Sequence, residues 1–136
     1  MVSESNSGIL AINDQYSKIE FPWPPSVNHY YRHVGHRVLI SREGRAYRQT
    51  VCSILRKIDV RMLEGPVEMT IDAHPPDRRR RDLDNILKCI LDSLQHGQIY
   101  RDDSQIKELH CRMLDPDRTG GKVIVSLQPT KEKIQA

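Results

Sequence analysis

The hydrophobic pattern changes its period on either side of a short arginine-rich segment, and this change constrains the fold more than any other feature. Before the segment, residues 67–73 alternate apolar and polar side chains, which predicts a half-buried strand that ends at Pro75-Pro76. After it, apolar side chains recur at helical spacing, which predicts a helix with Gly97 as its C-cap. The apolar positions of this helix are Leu83, Ile86, Leu87, Ile90, Leu91 and Leu94. A strand that leads directly into an amphipathic helix is typical of an α/β domain.

The remaining pattern adds one more helix and three short strands. Residues 41–58 carry an apolar stripe at helical spacing, and Ser41 is placed to cap this helix at its N-terminus. Strands are predicted at 19–21, 109–113 and 123–127, and the last two are expected to pair as a hairpin. We therefore predict an α/β fold with a small mixed β-sheet of about four strands packed with two main helices.

The chain length of 136 residues indicates a single domain. Residues 1–17 are polar and without period, so they are predicted to form a flexible N-terminal extension. Residues 18–129 then form the folded domain, and residues 130–136 are expected to be a frayed C-terminal tail.

Positive charge is concentrated in one part of the chain. Residues 28–61 contain eight arginines and lysines against two acidic residues, so this part carries a charge of +6 within a net charge of +3. Such a basic region suits a polyanionic partner, although it is also typical of a solvated helix face.

Cysteine usage and hydropathy indicate a soluble protein of a reducing compartment. The three cysteines are scattered and form no CxxC pair, which predicts free thiols rather than a disulfide framework. No run approaches the roughly 20 apolar residues of a membrane span, and the chain has no Gly-rich phosphate loop that would suggest a nucleotide cofactor. We therefore expect a cytoplasmic protein without a membrane partner.

The segment 28–37 interleaves aromatic and basic side chains. Tyr30 and Tyr31 can stack on exposed bases, and Arg32 and Arg37 can pair with phosphate groups. This pattern indicates a nucleic-acid-binding loop. The alternative is a loop whose two tyrosines pack on the core.

The arginine-rich segment contains the strongest functional pattern. Four consecutive arginines, which suit a nucleic-acid backbone, are followed by two aspartates two positions apart, Asp82 and Asp84. A second acidic pair, Asp102-Asp103, follows the predicted helix, and Lys88 lies four residues beyond Asp84 on the same line of that helix. The arginines are Arg78, Arg79, Arg80 and Arg81.

This pattern predicts a metal-dependent reaction at a phosphodiester. Asp82, Asp84 and one of the later pair, for which Asp103 is the better candidate, would hold a divalent cation. Oxygen ligands suit Mg²⁺, and three neighbouring carboxylates repel one another without it. Such an ion polarises a phosphoryl oxygen and activates a water molecule, and Lys88 would stabilise charge on the phosphate. The alternatives are that the aspartates only favour the start of the helix and that Lys88 only pairs with Asp84 or Asp92.

Residues 76–85, Lys88 and residues 102–106 together closely resemble the signature of the RusA family of Holliday-junction resolvases. The first stretch reads Pro-Asp-Arg-Arg-Arg-Arg-Asp-Leu-Asp-Asn, and the last reads Asp-Asp-Ser-Gln-Ile. Residues 21–32 are similar to the N-terminal motif of that family. The similarity runs in order over residues 19–127, which is nearly the whole predicted domain.

The resemblance implies a small α/β homodimer that binds four-way DNA junctions in recombination and repair. It implies symmetric cutting of two opposing strands with Mg²⁺, or with Mn²⁺ as a substitute. Carried over by position, Asp82, Asp84 and Asp103 would be the essential acidic residues and Lys88 the catalytic lysine. The resemblance assigns no role to the adjacent Asp102. Members of the family occur in bacteria, phages and prophages.

Two other functions compete with a junction endonuclease. A DNA-binding protein without catalysis would use the same basic surface, but it would gain nothing from carboxylates that face phosphate. A Mg²⁺-dependent enzyme for small phosphorylated substrates is disfavoured, because the chain has no Gly-rich phosphate loop and does have the aromatic–basic segment 28–37. The sequence therefore favours a metal-dependent junction endonuclease.

Overall fold

The strand that leads into the arginine-rich segment lies at the centre of the fold. A computed structural model describes residues 16–130. Its elements in chain order are β1 (Tyr16–Pro22), α1 (Val27–Tyr30), β2 (Tyr31–Val34), β3 (Arg37–Ile40), α2 (Arg42–Lys57), β4 (Val67–His74), α3 (Asp84–His96), a 3₁₀ turn (Asp103–Gln105), β5 (Ile106–Met113) and β6 (Lys122–Pro129). Four strands form one sheet in the order β1-β6-β4-β5, and β2 and β3 form a separate two-stranded sheet. The predicted α/β fold with a small mixed sheet is therefore confirmed.

Strand β4 separates the two strands that follow it in the chain. It pairs antiparallel with β6, with Ile71 opposite Val125, and parallel with β5, with Ile71 beside Cys111. The predicted hairpin between β5 and β6 is therefore wrong. The connection at 114–121 is long enough to cross the roughly 10 Å of two strand spacings, so β4, with its fully buried apolar face, takes the central position.

The two long helices cover one face of this sheet. The alternate residues of β4 that face them are buried, as the sequence predicts. Tyr47, Val51 and Leu55 of α2 lie in the same hydrophobic core as Ile90 and Leu94 of α3. Within residues 16–130, no helix combines the length and the apolar character that crossing a membrane requires.

The folded part of the chain includes residues before the predicted boundary at Lys18. Tyr16 is buried in β1, and its hydroxyl donates to the carbonyl oxygen of Arg61 at 3.0 Å and accepts from the backbone N–H of the same residue at 2.6 Å. Most of the predicted N-terminal extension and the C-terminal tail from residue 131 lie outside the described residues.

The start of α2 is capped as the sequence predicts. Oγ of Ser41 accepts the backbone N–H of Gly44 at 2.9 Å. Gly44 is required here because a Cβ atom at this position would lie 2.7 Å from the carbonyl oxygen of Tyr30. The first turn of α2 is thereby packed closely against the end of α1.

Residues 27–40 are more regular than the sequence predicts. The helix α1 is a single turn, and β2 and β3 form an antiparallel hairpin with Gly35 at its turn in a left-handed conformation, φ 61°. Each of these elements has only four residues, so none is long enough to produce a hydrophobic period.

Candidate active site at the start of helix α3

The loop between β4 and α3 is held in shape by Asp77. Its Oδ1 atom accepts the backbone N–H of Arg79 at 2.9 Å and Nη1 of Arg81 at 2.7 Å. These bonds, the one from Arg81 above all, hold the pKa of Asp77 well below its usual range. The guanidinium of Arg81 also lies 5.8 Å from the ring centroid of Trp23. Arg81 is therefore fixed in place from two sides.

The four arginines predicted to bind DNA differ in their availability. Arg78, Arg79 and Arg80 are exposed, whereas the side chain of Arg81 is only 17% exposed. Arg79 places Nε 3.3 Å from Oδ2 of Asp77. Arg78 and Arg80 form no ion pair with any residue of the described range, so their guanidinium groups are free to bind a phosphate. DNA contact by each of the four arginines stays a prediction.

Asp82 and Asp84 are exposed where α3 begins. The N-cap position is Leu83, so the interpretation of Asp82 as the helix cap is wrong. Asp84 does occupy the first helical turn, where the helix dipole favours a negative charge. Neither carboxylate has a hydrogen-bond or ion-pair partner among residues 16–130, which leaves both available to a ligand.

Lys88 lies one helical turn beyond Asp84 and is half exposed. Its Nζ is 3.9 Å from Oδ1 of Asp92 and forms no ion pair with Asp84. The ion pair with Asp92 that the sequence allows is therefore present, although it is long. A role of Lys88 in catalysis stays a prediction.

The second acidic pair divides into a structural residue and a free one. The carboxylate of Asp102 accepts the backbone N–H of Ser104 at 3.0 Å. Hydrogen bonding from Ser104, through its side chain first and its backbone second, lowers the pKa of Asp102. Asp103 forms no side-chain hydrogen bond or ion pair with the described residues, and its backbone N–H donates to Oε1 of Gln95 at 2.8 Å. Of the two, Asp103 is the one whose carboxylate is not used to stabilise the turn.

Asp103 lies near the C-terminal end of α3, whereas Asp82 and Asp84 lie at its start. Its anchor Gln95 follows Asp84 by 11 residues, a rise of roughly 16 Å along a helix. Within residues 16–130, no group of three or more His, Cys, Asp or Glu lies close enough together to hold a metal ion. One chain therefore places Asp82 and Asp84 beside the free arginines. Within the described residues of that chain, Asp103 does not join them to complete a three-carboxylate metal site.

The aromatic–basic segment is divided between the core and the surface. Tyr30 is fully buried, and its hydroxyl donates to Oδ2 of Asp92 at 2.9 Å. The prediction that it stacks on a base is therefore wrong, because burial leaves no ring face free. Tyr31 is partly buried, with its ring centroid 4.9 Å from that of Tyr30 in an edge-to-face arrangement. Arg32 and Arg37 are exposed on the hairpin.

Two residues that organise this region, Asp77 and Arg48, are not predicted from the sequence. For Asp77 a signal exists, because an aspartate four residues before an arginine can pair with it in a tight turn. Arg48 bonds to Asp92 and to Tyr30, which are 44 and 18 residues away along the chain. Contacts of this separation have no local pattern that periodicity could detect.

The chain is similar to known nucleases over almost all of the described residues. The model of the family named endodeoxyribonuclease RusA matches residues 22–128. A protein of Escherichia coli strain K12 named crossover junction endodeoxyribonuclease RusA is 40% identical over 111 residues, which are 80% of this chain and 91% of that protein. Proteins of the same name from Shigella sonnei strain Ss046 and Enterobacteria phage 82 are each 41% identical over 111 residues, with the same coverage. With this match over most of its length, the chain belongs to the RusA family of endodeoxyribonucleases.

Proposed function

We propose that the protein is an endonuclease that hydrolyses phosphodiester bonds in four-way DNA junctions and requires a divalent cation. The observation that carries this proposal is a pair of carboxylates without partners, Asp82 and Asp84, next to two guanidinium groups without partners, those of Arg78 and Arg80. Family membership supports the reaction class, and the names of the relatives from bacteria and a phage support the junction as substrate.

The two kinds of free charge have complementary roles on a nucleic acid. Guanidinium groups bind phosphate oxygens and hold the backbone at the site. Exposed carboxylates would repel that backbone without a hard cation. Asp82 and Asp84 would help to hold such an ion, which would neutralise their charge and supply Lewis-acid chemistry at the phosphate. We take Mg²⁺ as the physiological ion and Mn²⁺ as a substitute, and Lys88 as the group that stabilises charge on the phosphate.

A homodimer would solve the separation between Asp103 and the first acidic pair. In a two-fold dimer, the 3₁₀ turn of one subunit can approach the start of α3 of the other, and symmetry then produces two equivalent sites. Two related sites also suit a junction whose two opposing strands are cut. We therefore propose that Asp82 and Asp84 of one subunit act with Asp103 of the partner.

The hairpin supplies a second surface for DNA. Arg32 and Arg37 are exposed on it, and the chain has no acidic residue between Glu20 and Glu43. Phosphate groups of a junction arm can therefore approach without repulsion from this segment. We place the protein in the cytoplasm of a bacterium, where host and phage DNA are both accessible.

A gel assay with a synthetic four-way junction tests the proposal. We expect symmetric nicks in Mg²⁺ and none in EDTA, and little cutting of a linear duplex that has the sequence of one arm. Equal cutting of the linear duplex would contradict selectivity for junctions. Tight binding without nicks in either Mg²⁺ or Mn²⁺ would instead favour the non-catalytic DNA-binding protein.

A further inference from the structure

A cluster of three polar side chains joins α1, α2 and α3. The hydroxyl of Tyr30 donates to Oδ2 of Asp92 at 2.9 Å, and Nη2 of Arg48 contacts the same oxygen at 3.2 Å. Arg48 also donates from Nε to the Tyr30 hydroxyl at 2.9 Å and places its guanidinium 5.8 Å from the tyrosine ring centroid. Every pair in this cluster is therefore in direct contact.

The cluster fixes one carboxylate oxygen and leaves the other for a different partner. Oδ2 of Asp92 accepts both donors, while Oδ1 is the atom nearest to Nζ of Lys88, at 3.9 Å. The side chain of Asp92 is 19% exposed, against 50% for Lys88. A well-held carboxylate thus lies beside a half-exposed ammonium group.

The helix places this contact next to the candidate active site. Asp84, Lys88 and Asp92 are spaced four residues apart, so they follow one line along α3. Lys88 therefore lies between an unpartnered carboxylate at the helix start and a fixed one a turn further on. The contact with Asp92 keeps the ammonium of Lys88 close to the helix surface, one turn from Asp84, and limits its freedom in solvent.

We propose that Asp92 is a positioning residue for Lys88, held in place by Tyr30 and Arg48. The proposal rests on the proposed function, because it assumes that Lys88 acts on the phosphate. A lysine side chain has many rotamers, and confining it before the substrate binds reduces the entropy lost on reaching the transition state.

The hydrogen-bonding state of the cluster is consistent with this role. Burial raises the pKa of Tyr30 far above its usual range, so its hydroxyl stays protonated and remains a donor to Asp92. Arg48 carries a permanent positive charge that balances Asp92. Because Arg48 and Lys88 contact different oxygens of Asp92, the cluster can stay intact while Lys88 moves toward a phosphate.

The substitution Asp92→Asn tests the proposal through a separation of cleavage rate from binding. We expect single-turnover cleavage of the junction to slow by about tenfold. The dissociation constant for the junction should change by less than about twofold, because Asp92 is mostly buried and already bonded to Tyr30 and Arg48. In a Lys88→Ala background, adding Asp92→Asn should slow cleavage no further. A second loss of similar size in that background would overturn the proposal, because Asp92 would then act independently of Lys88.

Two further variants separate positioning from folding. Tyr30→Phe removes one hydroxyl and keeps the buried ring, so we expect a smaller loss of rate in the same direction. Asp72→Asn breaks a comparable ion pair, that of Asp72 with Nε of Arg112 at 2.9 Å, on the other face of the sheet. It should leave the cleavage rate unchanged. A lower melting temperature in Asp92→Asn with wild-type cleavage would show that the cluster only fastens the helices together.

A measurement without cleavage tests the restraint of Lys88 by Asp92 separately from the proposed function. Lysines are reductively methylated with ¹³C-formaldehyde and a borohydride reductant, which retains their charge, and the Lys88 signal is assigned by its loss in Lys88→Arg. We expect the Lys88 methyl groups to be restricted in the wild type and more mobile in Asp92→Asn, with no change in Asp72→Asn. Equal mobility in the wild type and Asp92→Asn would overturn the positioning role, whereas a wild type that cuts no junction would overturn only the proposed function.

Discussion

Two groups of carboxylates along α3 differ in how the fold treats them. Asp92 is mostly buried and accepts bonds from two other helices, whereas Asp82 and Asp84 are exposed and have no partner within residues 16–130. A buried carboxylate must be paired because desolvation penalises its charge. An exposed one can be left unpaired in water at little cost. Asp92 therefore helps to stabilise the folded domain and, as proposed, to position Lys88. Asp82 and Asp84 are available for a ligand.

The substitution Asp82→Asn should produce the largest change in activity and a small change in stability. Loss of a cation ligand removes several kcal/mol of transition-state stabilisation, so we expect cleavage to fall roughly a thousandfold. Binding of the junction should be retained or strengthened, because a negative charge facing phosphate is removed. Single-turnover cleavage, gel-shift titration and thermal melting measure the three effects.

The contrast between the two groups of carboxylates would be wrong if Asp82, like Asp92, stabilised the folded protein. A melting temperature that falls more in Asp82→Asn than in Asp92→Asn would show that Asp82 has a partner in the folded protein. Normal cleavage by Asp82→Asn would show that it holds no essential ion. Asp72→Asn serves as the matched control, since it also changes an aspartate to asparagine but lies on the opposite face of the sheet.

Mixing two inactive variants tests whether a site is shared between subunits. Asp82→Asn and Asp103→Asn should each be inactive alone. If the site is composite, a mixed dimer contains one site with both substitutions and one site with neither. Random exchange of subunits should then restore about a quarter of the wild-type sites, seen as single nicks rather than paired cuts. Absence of any recovery after proven exchange would place all three carboxylates in one chain.

Replacement of the two free arginines should weaken binding rather than chemistry. In Arg78→Ala/Arg80→Ala we expect a lower affinity, and a slope of log K against log salt that is shallower by about 0.9 for each phosphate group that the variant no longer neutralises. The cleavage rate at saturating protein should change little. Arg112→Ala removes an exposed arginine from the other sheet face and should leave the slope unaltered. An unchanged slope in the double variant would contradict the assignment of these arginines to the DNA backbone.

The elements that the sequence predicts well are those in which the hydrophobic pattern continues over many residues. The stripes of α2 and α3 and the alternation of β4 are sufficient to locate each of them. The hairpin of residues 31–40 escapes prediction, because four-residue strands contain too few side chains to show a period. The predicted pairing of β5 with β6 is wrong, because sequence proximity favours a hairpin while the buried face of β4 competes for both strands.

The candidate site divides in the same way. Asp82, Asp84 and Arg78 to Arg81 are adjacent in sequence, so composition alone is enough to propose them as candidates. The basic neighbours of Tyr30 suggest a DNA contact, yet its hydrogen bond to Asp92 across 62 residues places it in the core. Local composition suggests candidates for ligand binding, but only the packed fold shows which polar residues hold the others in place.

The smallest expected effect concerns Asp77, which has partners like Asp92 but is not buried. Its folded pKa is depressed, chiefly by Arg81, so its contribution to stability is full above its unfolded pKa of about 4 and is lost as pH falls through the folded pKa. The difference in melting temperature between the wild type and Asp77→Asn should therefore be largest near neutral pH and should shrink in acid. In an Arg81→Ala background this pH dependence should nearly vanish, since its main cause is gone. A melting-temperature difference that stays constant from neutral to acid pH would show that the loop does not depend on the charge of Asp77. The hydrogen bond from Arg81 to Asp77 would then stabilise the loop less than its length of 2.7 Å indicates.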